Sequence, residues 1–173
     1  GVHSEGAVRL AADELGVERV TTARELAVDE IAALCATGVP IEVFCHGAIC
    51  IGYSGACEFS ALRRGRSAMR GDCTQPCRLA YDLVDEAGES VTSVEGDRLL
   101  CPRDYLGIAH LPGLVGAGVA SLKIEGRMKR PEYVAAVTEI YARLLRERRT
   151  PTKDEQKKLA LAFSRDGFTE GYY

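Results

Sequence analysis

Apolar residues recur at helical and strand spacings along the chain, and they predict an alternation of helices and strands. Ser4 suits a helix N-cap, and the apolar residues after it keep helical spacing as far as Gly16. The pattern then predicts a strand over 17–21, a helix over 28–37 and a strand over 41–45. A strand, a helix and a strand in such quick succession predict a βαβ unit with parallel strands.

The second half of the chain alternates less regularly. The elements expected there are a hairpin arm over 79–85 with its turn at 86–88, a strand over 98–101, a helix over 105–115 kinked near Pro112, a strand over 119–124, a long helix over 131–148, and a last helix from a Thr152–Glu155 capping box through Phe163.

Residues 42–78 interrupt this alternation with a cysteine-rich, glycine-rich stretch. Four of its cysteines have spacings that match no helix or strand face: Cys50, Cys57, Cys73 and Cys77. Four thiolates suit either a four-iron four-sulfur cluster or structural zinc, and the wide, unequal gaps favour the cluster. Cys101 is a rival for the fourth position. The N–H groups of Gly52, Gly55 and Gly71 are expected to donate to the sulfurs.

The composition of the chain argues against a strongly basic nucleic-acid-binding protein and against a membrane protein. The 173 residues are 46% hydrophobic and 27% charged with a net charge of −3, so no global basic field draws the chain to nucleic acid. Neither a membrane-spanning apolar run nor a signal-peptide pattern is present in the sequence, and no membrane partner is expected. A cytoplasmic location is therefore predicted, where reduced, clustered cysteines indicate metal binding before disulfides.

Two groups of polar residues are candidates for catalysis. His46 follows the strand over 41–45, at the end where parallel α/β folds place active sites, and is either an acid–base group or an ordinary loop histidine. Lys123, Glu125 and Arg127 lie on or just after the strand over 119–124. They form either a site for a carboxylate-bearing substrate or a structural Lys–Glu pair.

Five arginines lie in the cysteine-rich stretch. They either contact RNA phosphates or form a solvated face that balances the charge of a cluster: Arg63, Arg64, Arg66, Arg70 and Arg78.

The sequence gives little support for a peptidase. The chain has no HExxH, residues 52–56 fail the GxSxG pattern at the last position, and Cys45 and His46 are strand neighbours that face opposite ways.

The stretch from Glu42 to Ser60 resembles the signature of peptidase family U32. The matching residues are Glu42, Phe44, Gly47, Ala48, Ile49, Cys50, Gly55, Cys57 and Ser60, with a departure at Phe59, where an aliphatic residue is usual. The resemblance continues through GRSAMRGDCTQPCRLAY and SLKIEGRMKRPEYV, so it covers nearly the whole chain.

The resemblance implies an α/β fold, a fragment of a TIM-barrel-like (βα) domain with a cysteine-rich, cluster-binding insertion. Residues 1–45 would be the C-terminal βα units of a truncated barrel, 46–80 the iron–sulfur segment, 81–150 the remaining βα part and 151–173 the start of a C-terminal region. The few βα units also fall short of the eight that close a barrel. An N-terminal barrel half and a C-terminal domain are therefore expected in the full-length protein.

The resemblance also implies function. The family's ligands would fall on Cys50, Cys57, Cys73 and Cys77, holding a 4Fe-4S cluster. Related activities are C5 hydroxylation of RNA bases in tRNA or rRNA with prephenate as co-substrate, oxygen-independent ubiquinone hydroxylation, and collagenase-like proteolysis. The expected function is iron–sulfur-dependent hydroxylation of rRNA or tRNA, with RNA as the partner. The alternatives are a collagenase-like peptidase and a structural zinc-binding module.

Overall fold

The structure is a computed structural model that describes residues 1–91, 98–127, 129–162 and 167–172. The chain forms two units. The first contains residues 1–49 and 103–173, and the second contains residues 50–102. The predicted domain boundaries at 45, 80 and 150 stay predictions.

The described residues contain six α-helices and five strands, and all but α3 lie in the first unit. In chain order they are α1 (Glu5–Asp13), β1 (Val20–Thr21), α2 (Val28–Cys35), β2 (Ile41–Ala48), α3 (Phe59–Arg64), β3 (Asp104–Leu106), α4 (Leu111–Gly116), β4 (Ser121–Glu125), α5 (Pro131–Glu147), α6 (Lys153–Ala162) and β5 (Phe168–Thr169). Short 3₁₀ turns occupy Ala68–Arg70, Pro76–Arg78 and Gly107–His110.

Strand β2 is the centre of the sheet. It pairs in parallel with β1 and with β4, and its last residues pair antiparallel with β3. Strand β3 pairs in parallel with β5. The parallel β1–α2–β2 unit predicted from the sequence is confirmed, and the fold is a mixed α/β arrangement of one sheet with helices. Among the described residues, no helix combines the length and apolar character that crossing a bilayer requires.

Two apolar clusters hold the first unit together. One gathers residues of α1, α2, β1, β2 and α4, and its most buried members are Val8, Ile31, Ile41, Val43 and Leu114. The other packs β2 and the segment before α4 against α5 and α6, and its most buried members are Cys45, Ile108, Val137, Leu144 and Leu159. These are the positions where the sequence showed strand alternation and helical spacing.

Two elements predicted over residues 98–115 differ from the structure. The strand expected over 98–101 is wrong, because residues 99–100 form a turn in which Cys101 N–H donates to Arg98 O over 2.8 Å. The strand lies at Asp104–Leu106 instead, where pairing with β2 overrides the helix predicted from 105 onward. That helix begins only at Leu111, after a 3₁₀ turn.

The hairpin predicted around residues 86–88 is present only as a tight turn. Val84 and Ser90 form an isolated antiparallel bridge, so the arm over 79–85 is not a strand. The remaining elements are confirmed, including α5 and the capping box of α6. Thr152 N–H donates to Glu155 Oε2 over 2.9 Å, and Glu155 N–H donates to Thr152 Oγ1 over 3.2 Å. The predicted end of α6 at Phe163 lies outside the described residues.

Candidate functional site

The second unit brings Cys50 and Cys57 together around Gly52. The Gly52 N–H donates to Cys50 Sγ over 3.3 Å, as the sequence predicted. A Cβ added at Gly52 would lie 3.0 Å from Cys57 Sγ and 3.6 Å from Cys50 Sγ. Both sulfurs therefore lie against one backbone position that has room for glycine alone.

Cys73 is held in the same unit by Ser60 of helix α3. Ser60, which is buried, donates from Oγ to Cys73 Sγ over 3.6 Å and accepts the N–H of Thr74 over 3.1 Å. A second N–H, from Gln75, donates to the same sulfur over 3.3 Å. The sequence placed Ser60 in the signature without a role, and the structure shows that it positions the Cys73 loop.

The fourth thiol, Cys77, lies close enough to the other three for their charges to act on it. Burial raises its pKa, the adjacent Arg78 lowers it, and the charges of Cys50, Cys73 and Cys57 raise it. Cys101, the other candidate for the fourth ligand, has a different partner, because Arg78 Nη1 donates to Cys101 Sγ over 2.7 Å. The N–H of Gly71 donates to Ala68 O over 3.1 Å, so the expectation that it serves a sulfur is wrong.

Four thiols are donors that either a four-iron four-sulfur cluster or a zinc ion takes, and the cluster stays a prediction. Zinc needs its sulfurs about 2.3 Å from one point, and in the described residues no group of three or more His, Cys, Asp or Glu is gathered tightly enough to hold an ion. A four-iron cluster is a larger body whose thiolate ligands stand further apart. N–H donors aimed at Cys50 and Cys73 match the hydrogen bonds that tune such clusters.

In the first unit, His46 lies near the carboxyl end of β2 and is almost fully buried, with 1% of its surface exposed. Aromatic rings surround it, with the Tyr133, Tyr141 and Phe168 centroids 5.6–6.0 Å from its own. Burial, and then the positive charge of Lys129, lower its pKa from 6.5 to about 4. His46 is therefore a neutral imidazole at pH 7.

A buried ion pair accompanies this histidine, and no sequence pattern indicated it. Lys129 Nζ lies 3.7 Å from Asp104 Oδ2, with side-chain exposures of only 3% and 1%. The ammonium also lies over the Tyr133 ring, 5.2 Å from its centroid. Burial, and then the charge of Asp104, raise the pKa of Tyr133, so that phenol stays protonated. The only sequence signal was that Lys129 falls inside the second stretch of family resemblance.

The structure gives the three polar residues predicted on and after β4 different partners. Lys123 Nζ binds Glu42 Oε1 at 3.0 Å and lies 5.4 Å from the Phe44 ring centroid, so the partner in a Lys–Glu pair is Glu42 rather than Glu125. Burial raises the pKa of Glu42, but hydrogen bonds from Lys123, Thr21 and Ser121 outweigh it and hold that pKa below its usual value.

Glu125 and Arg127 lie further along, at the carboxyl end of β4. Glu125 stands level with Gly47 of β2, and its Oε1 accepts the Arg127 N–H over 2.9 Å. The Arg127 side chain is exposed. Glu125 and Arg127 therefore add a carboxylate and an exposed cation near the end of β2 that carries His46.

The arginines of the second unit do not all have the same surroundings. Arg66 binds Asp72 through two hydrogen bonds of 2.6 Å, and Arg78 is engaged by Cys101. Arg63, Arg64 and Arg70 are exposed. Arg66 is also exposed, with 57% of its side chain open to solvent, and RNA contact by these arginines stays a prediction.

Comparison with known proteins places the chain among its relatives. The family model described as "Peptidase family U32" matches residues 1–173. The 23S rRNA 5-hydroxycytidine C2501 synthase of Escherichia coli is 45% identical over 133 residues, which is 76% of this chain and 20% of that protein. A collagenase of Porphyromonas gingivalis is 36% identical over 173 residues, covering 96% of this chain and 42% of that protein.

A third relative is the tRNA hydroxylation protein P1 of Bacillus subtilis, 39% identical over 137 residues, 76% of this chain and 32% of that protein. No solved structure matches. The chain thus spans less than half the length of each of these relatives, while the family model covers every one of its residues. This chain belongs to peptidase family U32.

Proposed function

We propose that this chain is the iron–sulfur-bearing part of an RNA base hydroxylase, acting at C5 of a pyrimidine in ribosomal or transfer RNA. The observation that carries the proposal is the set of four thiols, two of which accept backbone N–H groups. Two relatives named for rRNA hydroxycytidine synthesis and tRNA hydroxylation supply the reaction. The parallel pairing of β1, β2 and β4 supports a TIM-barrel-like parent domain.

In this proposal Cys50, Cys57, Cys73 and Cys77 hold a four-iron four-sulfur cluster, which supplies electron transfer when bound. The N–H groups of Gly52 and Gln75 stabilise thiolate charge, because each donates to a ligand sulfur over 3.3 Å. Ser60 keeps the Cys73 loop against α3.

The substrates are assigned to the remaining polar groups. The exposed Arg63, Arg64 and Arg70 contact RNA phosphates, since each is a cation open to solvent. The exposed Arg127 suits a carboxylate such as that of prephenate as co-substrate. A cytoplasmic location follows from an RNA substrate.

A collagenase-like peptidase is the second candidate, and the name of one relative favours it. The chemistry of the described residues opposes a Cys45–His46 dyad. Burial raises the pKa of Cys45 to about 12, so its thiol stays protonated, and its Sγ lies 3.5 Å from Lys123 O. A cysteine nucleophile needs an accessible thiolate.

The test is anaerobic purification of the protein that carries this chain, followed by iron and sulfide analysis. We expect about four irons and four sulfides per chain, and a sharp loss of iron in Cys57→Ala. Cys35→Ala is the matched control, because Cys35 ends α2 and packs against the apolar core. It should retain iron.

The reaction is tested by mass spectrometry of RNA. The RNA comes from cells that lack the endogenous activity and express either the wild-type protein or Cys57→Ala. Restored 5-hydroxypyrimidine with wild type, but not with Cys57→Ala, supports the proposal. Bound zinc with no iron would favour the structural zinc module. Gelatin hydrolysis that survives removal of metal would favour the peptidase.

A further inference from the structure

The ring of His46 has two nitrogens with different surroundings. Nδ1 lies 3.4 Å from the Tyr141 hydroxyl, and in the described residues Nε2 is buried without a hydrogen-bond partner. A buried nitrogen without a partner is destabilising, because it has lost its hydrogen bonds to water and gained none in return. Such an arrangement in a native protein calls for a group that fills the position.

Tyr141 decides which nitrogen carries the proton. Its hydroxyl donates to the backbone carbonyl of Cys45 over 2.8 Å, so its single proton is already used. The phenolic oxygen can then only accept from the imidazole, and His46 must present Nδ1–H to it. Nε2 is left as a lone pair, which is a hydrogen-bond and proton acceptor.

His46 also forms part of the wall of a cavity at the carboxyl ends of β1 and β2. The other lining residues come from β2, from the segments after β1 and β2, from β3 and from the turn after β5, and they include Arg24, Phe44, Tyr105 and Gly171. The cavity volume of about 10 Å³ has room for roughly one water-sized group. Its walls are mostly apolar, and His46 is one of three polar side chains among them, together with Arg24 and Tyr105.

We propose that this cavity is a binding site for a water-sized O–H donor, in which His46 Nε2 is the acceptor and Tyr141 is the positioning residue that sets its tautomer. The donor is either an ordered water or the hydroxyl of a small ligand. The site lies where parallel α/β folds bind substrates, at the carboxyl ends of their strands. It does not depend on the four-thiol set, so it stands or falls apart from the proposed hydroxylase.

The two tautomers of His46 place the imidazole proton on different ring nitrogens. A Tyr141 hydroxyl turned toward His46 would leave Nε2–H as a donor and would break the 2.8 Å bond to Cys45 O. The site would then select an acceptor such as a carbonyl. The two tautomers have distinct ¹⁵N shifts, which makes the choice measurable without an activity assay.

The experiment uses the full chain labelled with [¹⁵N]histidine, and long-range ¹H–¹⁵N correlations at pH 7. His46→Gln assigns the His46 signals among those of the three histidines. We expect a protonated Nδ1 and a bare Nε2. In Tyr141→Phe the two shifts should move toward a tautomer mixture. Tyr81→Phe is the matched control, since its hydroxyl also donates to a backbone carbonyl, that of Pro76, over 2.9 Å.

Two arms distinguish the sources of the donor. A nuclear Overhauser contact between water and the His46 ring protons identifies a resident water, and a saturable change of the Nε2 shift with methanol identifies a site for a ligand hydroxyl. Either result supports the proposal. A protonated Nε2, an unchanged tautomer in Tyr141→Phe, or the absence of both the water contact and the methanol response would overturn it.

Discussion

Mild acid should destabilise this protein through His46 before its carboxylates are affected. The unfolded chain has an ordinary histidine pKa of 6.5, whereas burial and the charge of Lys129 lower the folded value to about 4. Between these values the unfolded state binds more protons, so the free energy of unfolding falls as pH falls. Well above pH 6.5, at about pH 7.5 and higher, the imidazole is almost wholly neutral in both states and contributes little pH dependence.

The magnitude follows from the two pKa values. From pH 7.5 to pH 4.5 the linkage amounts to about 2.5 kcal/mol, a large share of a typical stability of about 5–15 kcal/mol. Glu42 interferes little in this window, because its pKa is held below 4.5 and its contribution is lost only at lower pH. Lys129, whose charge acts on His46, is itself paired with Asp104.

The assay is urea unfolding followed by far-ultraviolet circular dichroism at pH 7.5, 6.0, 5.2 and 4.5, for wild type and His46→Gln. Glutamine does not titrate, so subtracting its curve from that of wild type removes every other titrating group. The difference should grow toward acid by about 2.5 kcal/mol. Parallel curves for the two proteins would refute the reasoning, since they would mean that His46 titrates alike in the folded and unfolded states.

Three further substitutions test local geometry. Gly52→Ala places a Cβ 2.9 Å from Cys57 Cβ and should sharply lower the iron content of anaerobically purified protein. Gly47→Ala should lower the free energy of unfolding by at least about 1–3 kcal/mol, because Gly47 has φ +104° and its Cβ would lie 2.5 Å from Glu125 O; urea unfolding measures this. Thr152→Ala removes the cap of α6 and should cost about 1 kcal/mol in the same assay.

Gly6→Ala is a control for the glycine substitutions. Gly6 lies inside α1, and an added Cβ there meets nothing within 4 Å. Alanine should be neutral or stabilising there by up to about 1 kcal/mol. Full iron in Gly52→Ala would contradict the close packing of Cys57 against that backbone. An unchanged stability of Gly47→Ala would contradict the close approach of Glu125 O to Gly47.

Local sequence patterns predicted much of the fold. Helical spacing with a proline in its first turn indicated α5, the reciprocal contacts of Thr152 and Glu155 indicated the start of α6, and the β1–α2–β2 unit followed from element order. Errors fell where pairing with a distant strand decided the outcome. Strand β3 is short and follows a proline, and its extended form depends on hydrogen bonds to His46–Ala48 of β2.

The candidate site was predictable to the extent that its chemistry is local. Cysteine spacing pointed to the four thiols, because thiol clusters and glycine-rich turns are visible in one stretch. The ion-pair partner of Lys123 was not predictable, because Glu42 and Lys123 lie on neighbouring strands far apart in the sequence. The same holds for Lys129 and Asp104, which only the tertiary structure brings together.

By itself, the sequence determined the alternation of helices and strands, the family and the set of candidate thiols, since each depends on residues close together in the chain or on a match along it. Only the tertiary structure decided the environment of His46. Its burial, its contact with Tyr141 and the charge of Lys129 come from segments that meet only through folding, and burial with that charge makes His46 a neutral imidazole at pH 7.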